Sequence, residues 1–418
     1  MMQMLALRRF YTDLMKVVLI GVSPAGAEPV PTPVDPVEQT VLAYQRELAI
    51  PDGERHGPQR NQWRQEWRDR LVRAVDEFPT SPHATAALAK AIGLSNSIPD
   101  YERSRVLVER LLTLRQDDGW QERWNTELGS ILMLSYRAVP APEVRGRAIA
   151  CFRLANQASD RLIASALKRT NGNRASLAVR ERYRHQVLNY AWIGALSTHD
   201  PAAAADAFLA SRNALLAGQV PLEGALKDYD AEYLLKSEMV ASLASGQGSR
   251  AESLLVDLVP LARRHPMSYY ARLYAERRFG STDLVNHHRF LADWIDQHPL
   301  AEGEMYLLWD AAAVALKLND GAAAAWYLER LLSDHREEMR QRDALLANAS
   351  SGMESSVLLL LLEAYRAQRR PLDHERISRQ FVASFPNHPL AKSMSITLDQ
   401  QTPRQDLQKS APKNIRPK

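Results

Sequence analysis

Cysteine occurs once in 418 residues, at Cys151, which excludes an intrachain disulfide and any cysteine-based zinc site. That cysteine shares a helical stripe with Ala148, Ala155, Ala158 and Leu162, so it reads as a small buried hydrophobe rather than a nucleophile. Glycine is sparse (18), and no alternating Val/Ile/Thr run is bounded by turn residues, so a sheet has little support. Beyond residue 27 no stretch approaches the roughly 18–20 apolar residues of a membrane span. Phosphate-loop, dinucleotide, Gly-x-Ser-x-Gly and His-Glu-x-x-His patterns are all missing, so no catalytic, cofactor or metal site is called for. Charge of one sign is lacking too. The formal charge is +4, but residues 1–27 carry +2 and residues 401–418 carry +4, which leaves −2 for residues 28–400. A body that close to neutral lacks the cationic footprint of a nucleic-acid binder.

Long Ala/Leu/Arg/Glu segments punctuated by Pro, Gly and Asn fill the chain instead. The clearest stretch, Asp228 to His335, reads as three helical hairpins. Ala231 to Ala244 returns as Ala251 to Arg264 after Gly246-Gln247-Gly248. Met267 begins the second, which returns through Leu284 to Gln297 after Gly280-Ser281-Thr282. Leu300 to Leu318 begins the third, which returns from Ala322 to Leu332 after Asn319-Asp320-Gly321. The return helices end at His265-Pro266, His298-Pro299 and Asp334-His335, at intervals of 33 and 36 residues. A hairpin of that size cannot bury its apolar face alone, so such repeats stack on one another.

In chain order, residues 1–27 read as an export signal: Arg8, Arg9 and Lys16, the apolar stretch Val17 to Val22, then Ala25-Gly26-Ala27. The absence of a cysteine after the apolar stretch argues against a lipid anchor. Residues 28–62 form a proline-rich linker and a first helix, residues 63–227 N-terminal hairpins, and residues 228–400 the regular C-terminal hairpins. Trp63, Trp67, Leu71 and Val75 mark one helix face, Asp100 caps a helix, and Pro82 and Pro201 open two others. The aliphatic run Val357 to Leu362 is too short to span a membrane and suits a helix packed on more than one side. Residues 401–418, basic with few apolar side chains, read as a disordered tail.

Two helix ends share a phrase, Phe78-Pro79-Thr80-Ser81-Pro82-His83-Ala84 and Phe385-Pro386-Asn387-His388-Pro389-Leu390-Ala391. With hairpins of this length, the chain resembles the tetratricopeptide-like (TPR-like) helical repeat proteins of the bacterial cell envelope, over roughly residues 64–400. In the third hairpin Leu308, Ala311, Ala312 and Ala315 face Ala324, Leu328 and Leu331 as the small-residue code requires, whereas Glu238 takes a core position in the first. The resemblance implies an all-α fold, a right-handed α-solenoid of stacked helical hairpins. It also implies a non-enzymatic exported scaffold that binds protein partners, expected to be envelope proteins, in the periplasm or outside the cell. The alternative is a cell-wall glycan binder, similar to the superhelix of lytic transglycosylases without their catalytic domain. If residues 1–27 are not a signal, the same scaffold is cytoplasmic.

Partner-binding candidates are few. Tyr269, Tyr270 and Tyr274 lie on an outgoing helix of the kind that lines a concave docking surface, although core packing accounts for them equally. Arg180 and Arg184 belong to a cationic cluster with Lys168, Arg169, Arg174 and Arg182, an anionic-partner site or a solvated face interleaved with Glu181. His287-His288 diverge by about 100° on a helix and share no ion easily. Glu302 with Glu304, or Asp228 with Asp230, face different ways and make poor acid–base pairs.

Overall fold

The computed structural model describes residues 35–48, 60–98, 100–173, 176–299, 301–345 and 352–398. The expected export signal, most of the proline-rich linker and the basic tail lie outside the described residues. What is described is all-α, and its contacts divide the chain into two compact units at Ser245/Gly246. That division falls inside the first of the three hairpins read from sequence.

The first unit holds α1 (Pro36–Leu48), α2 (Arg60–Glu77), α3 (Ala84–Ser97), α4 (Tyr101–Leu114), α5 (Asp118–Ala138), α6 (Pro142–Arg169), α7 (Leu177–Leu196), α8 (Pro201–Ala217) and α9 (Ala231–Ala244). Each helix packs on the next in sequence, with further contacts between α1 and α3 and between α5 and α7. That is the nearest-neighbour pattern of an α-solenoid. Trp67, Leu71 and Val75 are buried, and the indole N–H groups of Trp63 and Trp67 both donate to Glu47, at 2.5 and 2.9 Å, pinning α2 to α1. Helix α5 is buried on nearly every side from Trp124 to Met133. Pro82 lies in the turn ahead of α3 rather than in its first turn.

The second unit holds α10 (Gly248–Leu258), α11 (Met267–Arg278), α12 (Leu284–Gln297), α13 (Glu304–Lys317), α14 (Gly321–Asp334), α15 (Arg336–Leu345), α16 (Met353–Ala367), α17 (Pro371–Ser384) and α18 (389–398). Leu308, Ala311, Ala312, Ala315, Ala324, Leu328 and Leu331 are all fully buried, the interhelix layer expected of the third hairpin. Aspartates set many helix starts in both units. Asp100, Asp117, Asp200, Asp230, Asp283 and Asp320 each accept a hydrogen bond from the backbone N–H three residues on.

Two of the boundaries that differ from the sequence reading have a local cause in one residue. The return helix expected to reach Arg264 stops at Leu258 and tightens into a single 3₁₀ turn, Val259–Leu261, because Pro260 has no N–H to continue the ladder. The helix expected from Leu300 begins at Glu304, since Gly303 adopts φ 77 and Ser268 Oγ donates to the Glu302 carbonyl at 2.8 Å. A side chain at Gly303 would collide with that Ser268 hydroxyl.

Candidate functional site

In the second unit, the first helices of successive hairpins lie side by side: α11 packs on α13 and α13 on α16. Each leaves the same stripe uncovered, at i, i+3, i+4 and i+7. On α11 these are Tyr269, Arg272, Leu273 and Glu276. On α13 they are Tyr306, Trp309, Asp310 and Ala313, and on α16 Ser356, Leu359, Leu360 and Glu363. The residues between are buried, including Tyr270, Ala271, Leu307, Leu308, Val357 and Leu358. One helix face is therefore shared across three repeats, with half-buried Leu273, Trp309, Leu359 and Leu360 along it.

Charged groups at the N-terminal end of this face hold it in place. Arg272 Nε and Nη2 donate to the two oxygens of Asp310 at 2.5 and 3.0 Å, joining α11 to α13. The guanidinium groups of Arg272 and Arg342 lie over the Tyr306 ring, 5.2 and 4.9 Å from its centroid. At the other end Glu276 and Glu363 are exposed and enter no ion pair among the described residues. The face thus runs from a cation-bound aromatic, through an apolar middle, to two free carboxylates.

Helix α15 interrupts the repeat period and is anchored electrostatically. Arg336 Nε and Arg340 Nε donate to the buried Glu354 at 2.7 and 2.9 Å. Asp343 accepts from the backbone N–H groups of Met353 and Glu354 at 2.8 and 3.2 Å, capping α16 from outside. Comparable buried acids recur. Glu304 accepts from Arg330, with His335 Nε2 at 3.3 Å, and Glu122 accepts from Arg182, with His185 Nδ1 at 3.3 Å. Glu238, out of place in the repeat code, is 1% exposed and accepts from Arg212 Nε at 3.2 Å.

The residues singled out from sequence fall unevenly on this frame. Tyr270 (1% exposed) and Tyr274 (3%) are buried among the core residues of the second unit. Both lie between the uncovered positions of α11, and burial pushes the Tyr274 hydroxyl upward. Tyr269 reaches the surface at 37% exposure, its ring tilted against His265 with centroids 4.4 Å apart. Arg180 and Arg184 sit half-buried on α7, with Arg184 3.7 Å from Glu181, while their neighbour Arg182 is committed to Glu122. Arg174 lies outside the described residues. His298 Nδ1 meets the Trp294 carbonyl at 3.1 Å, as a histidine at a helix end is expected to. His265 meets no helix end, because its helix stopped early. Glu302 is exposed and Glu304 buried, so they form no acid–base pair. Burial pushes the Cys151 thiol up to about 11, leaving it protonated and unreactive at neutral pH. Among the described residues no group of three His, Cys, Asp or Glu is placed to hold a metal ion, and no helix is long and apolar enough to cross a membrane.

Trp309, Tyr306, Leu359 and Leu360 were not singled out from sequence. The signal was present in the Val357 to Leu362 run: α16 buries Val357, Leu358, Leu361 and Leu362 and leaves the middle two half-buried on the open face.

No protein-family model matches the chain, and no curated protein matches it. Among solved structures it is similar to the crystal structure of the TPR domain of P58(IPK), at 11% identity over 90% of this chain and 99% of that one, with a TM-score of 0.28. A score that low carries no argument, and the assignment to stacked TPR-like hairpins rests on this chain's own helix order, contacts and small-residue layers.

Proposed function

We propose that the protein is a non-catalytic scaffold that binds a partner polypeptide along the shared open face of α11, α13 and α16. The observation that carries this reading is the repetition of one uncovered stripe on three adjacent helices, with an unpartnered Trp309–Leu359–Leu360 middle. Large aromatic and aliphatic side chains left half-covered on a rigid frame are what interface hot spots are made of. The free Glu276 and Glu363 select a segment whose apolar anchors are followed by basic residues. A solenoid suits this task because its stacked helices offer a long preformed surface at little ordering cost. The location proposed for it is the cell envelope, supported by the Arg8, Arg9, Val17–Val22 and Ala25-Gly26-Ala27 pattern.

Crosslinked capture of the full-length chain from its native cells, read by mass spectrometry, tests both parts. Wild type is expected to retain a partner that Trp309→Ala with Leu360→Asp loses at least tenfold, roughly the effect of one hot-spot residue. The recovered chain is expected to begin near Glu28. Equal recovery by the double variant would remove the docking face, and an intact N-terminus would move the scaffold out of the envelope.

A further inference from the structure

The turn between α16 and α17, together with α18, lines an open cavity of about 610 Å³. That lies inside the roughly 300–1,000 Å³ range of pockets that hold small ligands. Three arginines line it, Arg366, Arg369 and Arg370. Arg370 is already engaged, donating to Asp373 at 2.8 Å and lying over the Tyr365 ring. Arg366 and Arg369 are exposed and enter no ion pair among the described residues. The acid of the lining, Glu375, accepts from Arg379 at 2.7 and 3.1 Å and so does not neutralise them.

Pro371, Met394 and Leu398 add an apolar part to the lining, the last two from α18. The hydroxyls of the lining are turned away from ligand donation, since Ser378, Ser393 and Thr397 each donate to a backbone carbonyl of their own helix at 2.8, 2.9 and 3.1 Å. Tyr365 is fully buried, so no aromatic ring stands free to stack on a nucleobase. A lining that is cationic along α16 and its turn and aliphatic along α18 fits an ion that is itself two-sided.

We propose that this cavity binds a single amphiphilic anion, with a phosphate monoester or carboxylate head between Arg366 and Arg369 and an aliphatic chain along Met394 and Leu398. The guanidinium fork matches either head bidentately. The same head occurs on free amphiphiles and on bilayer lipids, and the cavity takes one molecule, so the free form is the ligand.

Calorimetric titration of the full-length chain with dodecyl phosphate, kept below its micelle concentration at low salt, is the test. Saturable binding is expected, at least tenfold weaker in Arg366→Glu with Arg369→Glu and in Met394→Asp. Raising the ionic strength to about 0.5 M weakens it in the same sense, because the charges are exposed. Inorganic phosphate alone and dodecyltrimethylammonium are expected to bind at least tenfold more weakly than dodecyl phosphate. Both arginines are solvent-facing, so circular dichroism is expected to be unchanged in their double variant; if that variant misfolds, the single Arg366→Gln serves, with a several-fold loss. Trp309→Ala keeps full binding, which separates this site from the docking face. Equal affinity for the cationic amphiphile, undiminished binding by the folded arginine variants, or capture of phosphatidylglycerol vesicles without binding of the monomer would each overturn the proposal.

Discussion

Glu127 lies inside the first unit, where Asn96 Nδ2 donates to it at 2.7 Å, and burial pushes its carboxyl from 4.5 up to about 7 against the opposing pull of Asn96 and Arg123. The folded chain therefore holds a proton that the unfolded chain has released. Its contribution is fully present below 4.5 and is lost as pH rises through about 7. The corresponding loss is about 3 kcal/mol, since each pKa step is worth about 1.4 kcal/mol. Glu127→Gln keeps an acceptor for Asn96 and carries no proton to release. Urea unfolding at about pH 5 and about pH 8 is expected to show a stability drop in wild type that Glu127→Gln lacks. A drop of equal size in both proteins would assign the pH dependence to other groups. Glu122, Glu304 and Glu354 are buried as deeply, and each of them is met by arginine.

At the level of the helix, two glycines with opposite surroundings make the packing testable. A Cβ on Gly321, the first residue of α14, would stand 2.8 Å from the Ala364 carbonyl oxygen and 3.1 Å from Ala367 Cβ on α16. Backbone cannot yield there, so Gly321→Ala is expected to cost about 1–3 kcal/mol. Gly146 in α6 has nothing within 4 Å of the same position, and Gly146→Ala is expected to gain about 0.5–1 kcal/mol from helix propensity alone. Thermal melts of the two variants check the signs. Helix limits were readable at several places where an aspartate cap and a Gly or Asn turn lay close together, as for Ala231–Ala244 and Leu284–Gln297. They were misread where one local residue outweighed the periodicity, at Pro260 and Gly303. The open face was hidden for a different reason. Trp309 and Leu360 have the chemistry of core residues, and their exposure depends on helices tens of residues away. Arg366 and Arg369 likewise read as ordinary surface charges until 389–398 completes the cavity beside them.

Across the chain, the interruption after His335 looks from periodicity like a dispensable insertion, and the contacts of α15 give the opposite expectation. Excising residues 336–351 removes both arginines from the buried Glu354 and the Asp343 cap from α16. Stranding a buried charge costs about 3 kcal/mol or more, and losing the cap about 1 kcal/mol. The shortened chain is therefore expected to lose amide-exchange protection over α16, whereas retained protection would show that α15 contributes nothing to it. The same cross-helix pairing has an evolutionary side. Because each repeat contacts mainly its neighbours, a solenoid can ordinarily gain or drop one by unequal recombination. Here Arg182 neutralises an acid two helices back, Arg212 one on the following helix, and Arg272 one in the next hairpin. A crossover that falls between the partners of one of these pairs strands a buried or half-buried charge, so the spans 122–182, 212–238 and 272–310 are expected to resist loss or insertion of a repeat more than the helices outside them.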